Sequence, residues 1–204
     1  MGLLSSTVSI TRYRVDGKME HPLMENIAKG LRENVLSEID SEPADKAVGW
    51  TSFGSPFHPD FEGNSFVIGT QFLFSLRIDK KSIPAKVVKK HLEMEIARRL
   101  KESGREHLSR NEKQAAKEHV LNVLSLRIPA TPSIYDLLWS YEETSLWFFS
   151  TQKSANEELE TLFTKSFGLT LIRLFPYTLA ELGSGLSESQ REALTALEPS
   201  RFTE

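Results

Sequence analysis

Between Arg77 and Arg127 stand fourteen lysines and arginines against seven aspartates and glutamates, a local charge of +7. The rest of the chain holds eleven bases and twenty-one acids, or −10, which returns the formal total of −3. The chemistry open to such a segment is phosphate binding. Each Lys or Arg that meets a phosphate releases condensed counterions and adds affinity without reading sequence. In the stretch KKSIPAKVVKKHLEMEIARRLK, Lys80 to Lys101, a helical period of 100° per residue puts Val88, Leu92, Ile96 and Leu100 on one stripe. Lys86, Lys90 and Lys101 lie opposite, with Arg98 at the edge; Glu93 dilutes the row, and Glu95 and Glu102 occupy the other flank. The candidate backbone contacts are therefore Lys86, Lys89, Lys90, Arg98, Arg99 and Lys101. Arg110, Lys113 and Lys117 form a secondary set, partly offset by Glu112 and Glu118. A solvated helix face carries similar Lys and Glu patterning without any ligand, so the row has two readings.

Other groupings offer less. His58, Asp60 and Glu62 in HPDFE alternate along a loop and could present imidazole and oxygen ligands to a divalent ion. Pro59-Asp60 also matches the first half of a PD-(D/E)xK nuclease motif, but no acid-x-Lys follows on a nearby strand. His91, His107 and His119 lack the paired-histidine spacing of a metal-binding helix and read as surface or packing residues. P-loop, G-x-G-x-x-G and G-x-S-x-G signatures are absent, so nothing nominates a catalytic residue or a cofactor. Trp139, Trp147, Phe148 and Phe149 could stack bases, although clustered aromatics in strands are ordinary core material.

These residues need a frame, and 204 residues suffice for one large core. With no cysteine, disulfides and thiolate chemistry are excluded, which fits a reducing compartment; no signal peptide or membrane-length apolar run is present, so the cytoplasm is expected. Thr7 to Val15 reads as a strand, and Leu23, Ile27, Leu31, Val35 and Ile39 recur every four residues as a helix reaching Asp40. A short strand is expected around Val48 to Phe53, within a stretch that is otherwise loop. Phe66, Ile68, Phe72, Phe74, Leu76 and Ile78 mark one face of a long strand. Ile83-Pro84 opens a helix to about Ser103; after Gly104, Ser109 with Glu112 forms a capping box for a second helix ending before Pro129.

IYDLLWSY and SLWFFST then read as a β-hairpin. Ser154 with Glu157 caps a helix through Phe167 that Gly168 stops, and Leu169 to Phe175 is the last strand. The fold class is α+β: a mixed or antiparallel sheet, β-α-β-β then β-β-α-β, with a basic αα-hairpin inserted at about 83–127. Residues 1–182 form this single domain, and 183–204 a polar tail that holds at most one short helix, after Ser187.

The succession of VGW at Val48 to Trp50, IPAKVVKKHLEMEIARR from Ile83, LSRNEKQAAKEHVLNVL from Leu108 and LLWSYEETSLWFFSTQKSANEELETLFTKSFG from Leu137 resembles the recombination-associated RdgC family over residues 5–175. The resemblance implies a non-enzymatic protein of the bacterial cytoplasm and nucleoid. It implies a homodimer, ring-shaped in long members, that holds double-stranded DNA with little sequence preference and restrains RecA-type recombinases by occupying it. Such proteins are often labelled exonucleases, a label for which the sequence shows no motif. Long members continue past the position of Phe175 to Leu182 with a domain that contributes to the ring; here a polar tail follows, and Pro129 and Pro132 stand near the place of ring closure. An interaction or oligomerisation protein using the helical hairpin, and a metal-dependent nuclease using Asp60 and Glu62, are the alternatives.

Overall fold

The computed structural model describes residues 2–183 and 185–197. Among them seven strands form one antiparallel sheet, accompanied by six helices. In chain order the elements are β1 (Thr11–Asp16), α1 (Leu23–Glu33), β2 (Lys46–Thr51), β3 (Val67–Ile68), β4 (Gln71–Lys80), α2 (Ala85–Ser103), α3 (Arg110–Ser125), β5 (Thr131–Ser140), β6 (Ser145–Phe148), α4 (Lys153–Phe167), β7 (Thr170–Leu174), α5 (Pro176–Gly183) and α6 (Glu188–Thr195). The strands run β2-β4-β5-β6-β1-β7, with β3 folded against β4.

The inner face of the sheet carries Tyr13, Trp50, Phe74, Leu137, Trp139 and Leu146, all fully buried with Ile27 and Leu31 of α1 and Leu159 and Phe163 of α4. Aromatic contacts lock the centre: Trp139 meets Phe163 edge to face at 4.9 Å and lies tilted against Phe167 at 5.1 Å, ring centre to ring centre. The two helices meet closely because Gly30 has no side chain; a Cβ there would sit 2.5 Å from the Ser166 carbonyl oxygen.

Three expected elements come out differently. The four-residue periodicity continues to Ile39, yet the helix ends at Glu33: Trp50 N–H donates to the Asn34 carbonyl (2.8 Å) and Leu36 N–H to that of Trp50 (3.1 Å), so Val35 and Leu36 run as an extended segment beside β2. Pairing with a buried strand outweighs helical spacing at that end. The long strand from Phe66 is a hairpin instead. Gly69, at φ +61°, and Thr70 turn the chain so that Val67 pairs with Phe72, which leaves Ile68 60% exposed rather than on the inner face. The Ser154 capping box does not form; α4 begins at Lys153 behind Gln152, with no side-chain cap. Between Phe175 and Gly183, where the sequence reading assigns no element, the chain forms α5, and α6 starts behind Ser187 with a capping box to Gln190.

The outer face of β4 is also closed, although it is polar. Arg77 grips Asp79 through two bonds of 2.8 and 2.6 Å under the Phe57 ring, and Ser75 donates to Asp136 (2.8 Å), which also accepts Leu3 N–H (2.8 Å). Buried charge is tolerated there because each group finds a partner.

Candidate nucleic-acid interface

Helices α2 and α3 connect β4 to β5, which pair along their length from Phe72–Trp139 to Lys80–Thr131, so the two helices leave the sheet together at one end of that pair. Local sequence explains both. Pro84 precedes α2 in extended conformation, Gly104 ends it in the left-handed region at φ +65°, and Ser109 and Glu112 cap α3 reciprocally. The stripe Val88, Leu92, Ile96 and Leu100 is half-buried, whereas Ala116, Val120 and Leu124 of α3 are buried. The helices pack mainly on each other. No residue of α2 is fully buried, so most of its surface faces solvent.

The nine sequence candidates separate into distinct groups. Lys86, Lys90 and Lys101 are exposed, with no acid within 4 Å among the described residues. Their positions fall within a 60° arc and span about 22 Å at 1.5 Å per residue. Arg110, Lys113 and Lys117 on α3 are likewise exposed, unpaired with any acid, and within a similar arc over about 10 Å. Lys89 is exposed but reaches Glu93 at 3.9 Å.

Arg98 and Arg99 are tied up inside the helix. Arg98 donates to Glu95 (3.0 and 2.8 Å) and to Glu102 (2.9 Å), and Arg99 to Glu95 (2.7 Å). These bonds, those from Arg98 foremost, hold the Glu95 carboxyl down at about 2 and push the Arg98 guanidinium up. Arg99 lies in the arc of the apolar stripe, which is why it is only half-exposed and also reaches the Glu112 carbonyl of α3 (3.5 Å). Arg98 and Arg99 are thus cancelled by Glu95 and Glu102, and Lys89 is paired with Glu93, which leaves six of the nine candidates without an acid partner among the described residues.

The base of the hairpin rests on a residue that the charge pattern did not single out. Lys81, 5% exposed, donates from Nζ to the carbonyls of Asp40 (3.2 Å), Glu42 (2.7 Å) and Ser125 (2.7 Å), the last being the final residue of α3. Asp40 in turn accepts Ala130 N–H at 2.8 Å. The signal was available: Lys81 continues the alternation of Arg77 and Asp79 and so points to the closed outer face, where a free ammonium would need acceptors.

The remaining candidates lie away from the lysine row. Asp60 accepts from Glu62 N–H (2.8 Å) and its backbone exchanges bonds with Ser52, so HPDFE is a hydrogen-bonded turn. Among the described residues no group of three or more His, Asp or Glu side chains is placed to hold a metal ion. Trp139, Phe148 and Phe149 are buried; Trp147 alone of that quartet is exposed, at 40%. His91 and His119 line a groove of about 400 Å³ between α2 and α3, over Val120, Val123 and Leu124. Among the described residues no helix is long and apolar enough to cross a membrane.

Comparison with known proteins adds one match. No curated protein matches the chain. A family model described as "Putative exonuclease, RdgC" matches residues 9–181, a span that runs from the entry to β1 into α5 and takes in the whole sheet and both hairpin helices. Covering far more than half of the 204 residues, the match shows that the chain belongs to the RdgC family.

Proposed function

We propose that this protein binds double-stranded DNA without sequence preference through the unpaired cations of the α2–α3 hairpin, and by occupying DNA limits the access of a RecA-type recombinase. Family membership supports the recombination-associated role. The observation that carries the DNA contact is the row Lys86, Lys90 and Lys101, exposed and unpaired, while neighbouring arginines are neutralised by acids. Mobile ammonium groups along about 22 Å suit phosphates, which they can follow without fixed register. A homodimer on the bacterial nucleoid would bring two such rows to one duplex. The role is one of binding rather than cutting, in which Asp60 and Glu62 shape a turn.

Affinity for a duplex across a salt series tests this. Six cations on phosphates give a slope of log affinity against log salt of about −5. Joint Lys86→Glu, Lys90→Glu and Lys101→Glu substitution should move that slope by about 3 towards zero and weaken all sequences alike. Duplex incubated with magnesium should stay intact. Unchanged affinity in the triple variant overturns the assignment. A second reading, in which the hairpin docks a protein, is favoured by the groove between α2 and α3; it predicts no duplex binding even at low salt.

A further inference from the structure

We propose that the open outer face of the sheet at β6, β1 and β7 is a second nucleic-acid surface, one that takes single-stranded DNA by stacking a base on Trp147 beside Arg12, with Arg14 one same-face position further along β1. The proposal rests on the DNA-binding reading above, but on different residues. Strand register puts them together: Arg12 pairs with Trp147 on one side and Leu174 on the other, and Arg14 with Ser145 and Ile172. Directly paired antiparallel residues share a face, and Leu138, which pairs with Trp147, extends that face to β5.

Towards β4 this face is closed, by Leu3 bonded to Asp136 and by Phe57 over Arg77. Towards β1 it opens. Arg12 and Arg14 are exposed and have no acid within 4 Å among the described residues; Leu138, Ile172 and Leu174 are half-buried; Trp147 is 40% exposed. The Arg12 guanidinium lies over the indole, 5.7 Å from its centre, which holds the charge and the ring plane in one place. Beyond Leu174 the chain adds Phe175, 50% exposed, stacked on Tyr177 at 6.3 Å. Asp16, paired with Thr170, and Glu143, which accepts from Ser145 at 3.5 Å, bound the patch and confine it to a few nucleotides.

Charge and shape select the occupant. Two guanidinium groups call for an anion, and an indole flanked by apolar and aromatic side chains calls for a planar apolar face, a combination that a single strand supplies in every nucleotide. In a duplex those base faces are covered by their neighbours, so duplex binding would leave Trp147 unused.

The test uses the full chain and an oligothymidylate of about ten nucleotides, a length within the range of single-strand sites. Trp50 and Trp139 are fully buried, so any change in tryptophan quenching by acrylamide reports on Trp147. The oligonucleotide should shield Trp147. By anisotropy of a labelled oligonucleotide, Trp147→Ala should lose about five- to 150-fold in affinity, the effect of removing one stacked base, and Trp147→Phe should restore part of it. Arg12→Glu with Arg14→Glu should weaken the oligonucleotide and spare the duplex, while the triple lysine variant should weaken the duplex and still show shielding. Circular dichroism and melting curves identical to wild type keep a folding defect out of the comparison. If duplex binds and the oligonucleotide neither shields Trp147 nor responds to Trp147→Ala, this proposal falls and the hairpin reading stands. If an acidic peptide shields Trp147 better than the oligonucleotide at matched salt, the nucleic-acid assignment of this face falls. If neither nucleic acid binds, both fall.

Discussion

Replacing Lys81 by Met tests whether one buried ammonium fixes the base of the hairpin. The change keeps most of the aliphatic stem and removes three hydrogen bonds, of 2.7, 2.7 and 3.2 Å, to carbonyls in two otherwise separate parts of the chain. At about 1.5 kcal/mol net for each bond to a charged group, the three sum to roughly 4.5 kcal/mol. The variant no longer bears the desolvation of the ammonium, and water can reach the two part-buried carbonyls, Asp40 and Glu42. The expected loss is therefore about 2–3 kcal/mol. For a chain of this size that corresponds to a melting temperature lower by about 4–12 °C. Lys80→Met is the control, because Lys80 is exposed; it should stay within about 0.5 kcal/mol of wild type. Denaturant unfolding followed by circular dichroism gives the energies, and amide exchange gives the location: protection should fall first in the last turn of α3, where Ser125 loses its partner. If Lys81→Met matches Lys80→Met in stability and in exchange, the ammonium contributes nothing and the placement of the hairpin has another cause.

Two further expectations concern the core. Gly30→Ala would gain helix propensity of about 1 kcal/mol but push a methyl to 2.5 Å from the Ser166 carbonyl oxygen and 2.8 Å from the Phe167 ring, so the net effect should be destabilising by about 1–3 kcal/mol in urea titrations; a more stable variant would mean that α1 and α4 are free to separate. Tyr13, whose hydroxyl lies 2.6 Å from Asn156 Oδ1 and 2.8 Å from Glu160, is held protonated, first by burial and then by the Glu160 carboxylate. With the folded value raised, its contribution is whole below the ordinary tyrosine range near 10 and is lost as pH climbs above it. Melting temperatures of wild type should fall more steeply than those of Tyr13→Phe above pH of about 10, and parallel curves would remove Tyr13 as the cause.

What could be read without coordinates was whatever the chain encodes locally. The hairpin helices were legible because their stops and starts are single-residue signals: Pro84, Gly104 and the Ser109–Glu112 box all act where the spacing put them. Even the neutralisation of Arg98 and Arg99 was present as i,i+3 and i,i+4 spacing to Glu95 and Glu102, although the charge count treated all bases alike. Non-local effects were not legible. Helix α1 ends early because Asn34 and Leu36 bond to Trp50, fourteen or more residues away, and no periodicity in residues 23–40 announces that. The pairing of Arg12 with Trp147 depends on strand register across the sheet, so a basic residue near the start and one tryptophan among several gave no sign of a shared face.

The division of labour among the cations follows from side-chain chemistry. Arginine presents a rigid fork that matches a carboxylate, and on α2 both arginines are engaged by Glu95, with Glu102 completing the set. Because Glu95 is held at about 2, acid does not release those arginines at any pH near neutrality. The same holds for Glu112, held at about 2 chiefly by Arg105 and then by its cap with Ser109, so the turn between the helices keeps its shape across that range. Lysine carries a compact, strongly hydrated charge on a flexible stem, and it is three lysines that remain unpaired along α2. An acid placed among Lys86, Lys90 and Lys101 would have closed that row as Glu95 closes the arginines. Glu93 is the nearest approach to this, and it lies 3.9 Å from Lys89 instead. The hairpin thus spends its acids on internal stiffness and leaves its mobile charges outward, an arrangement that suits a partner recognised by charge and reach rather than by a fixed pattern of donors.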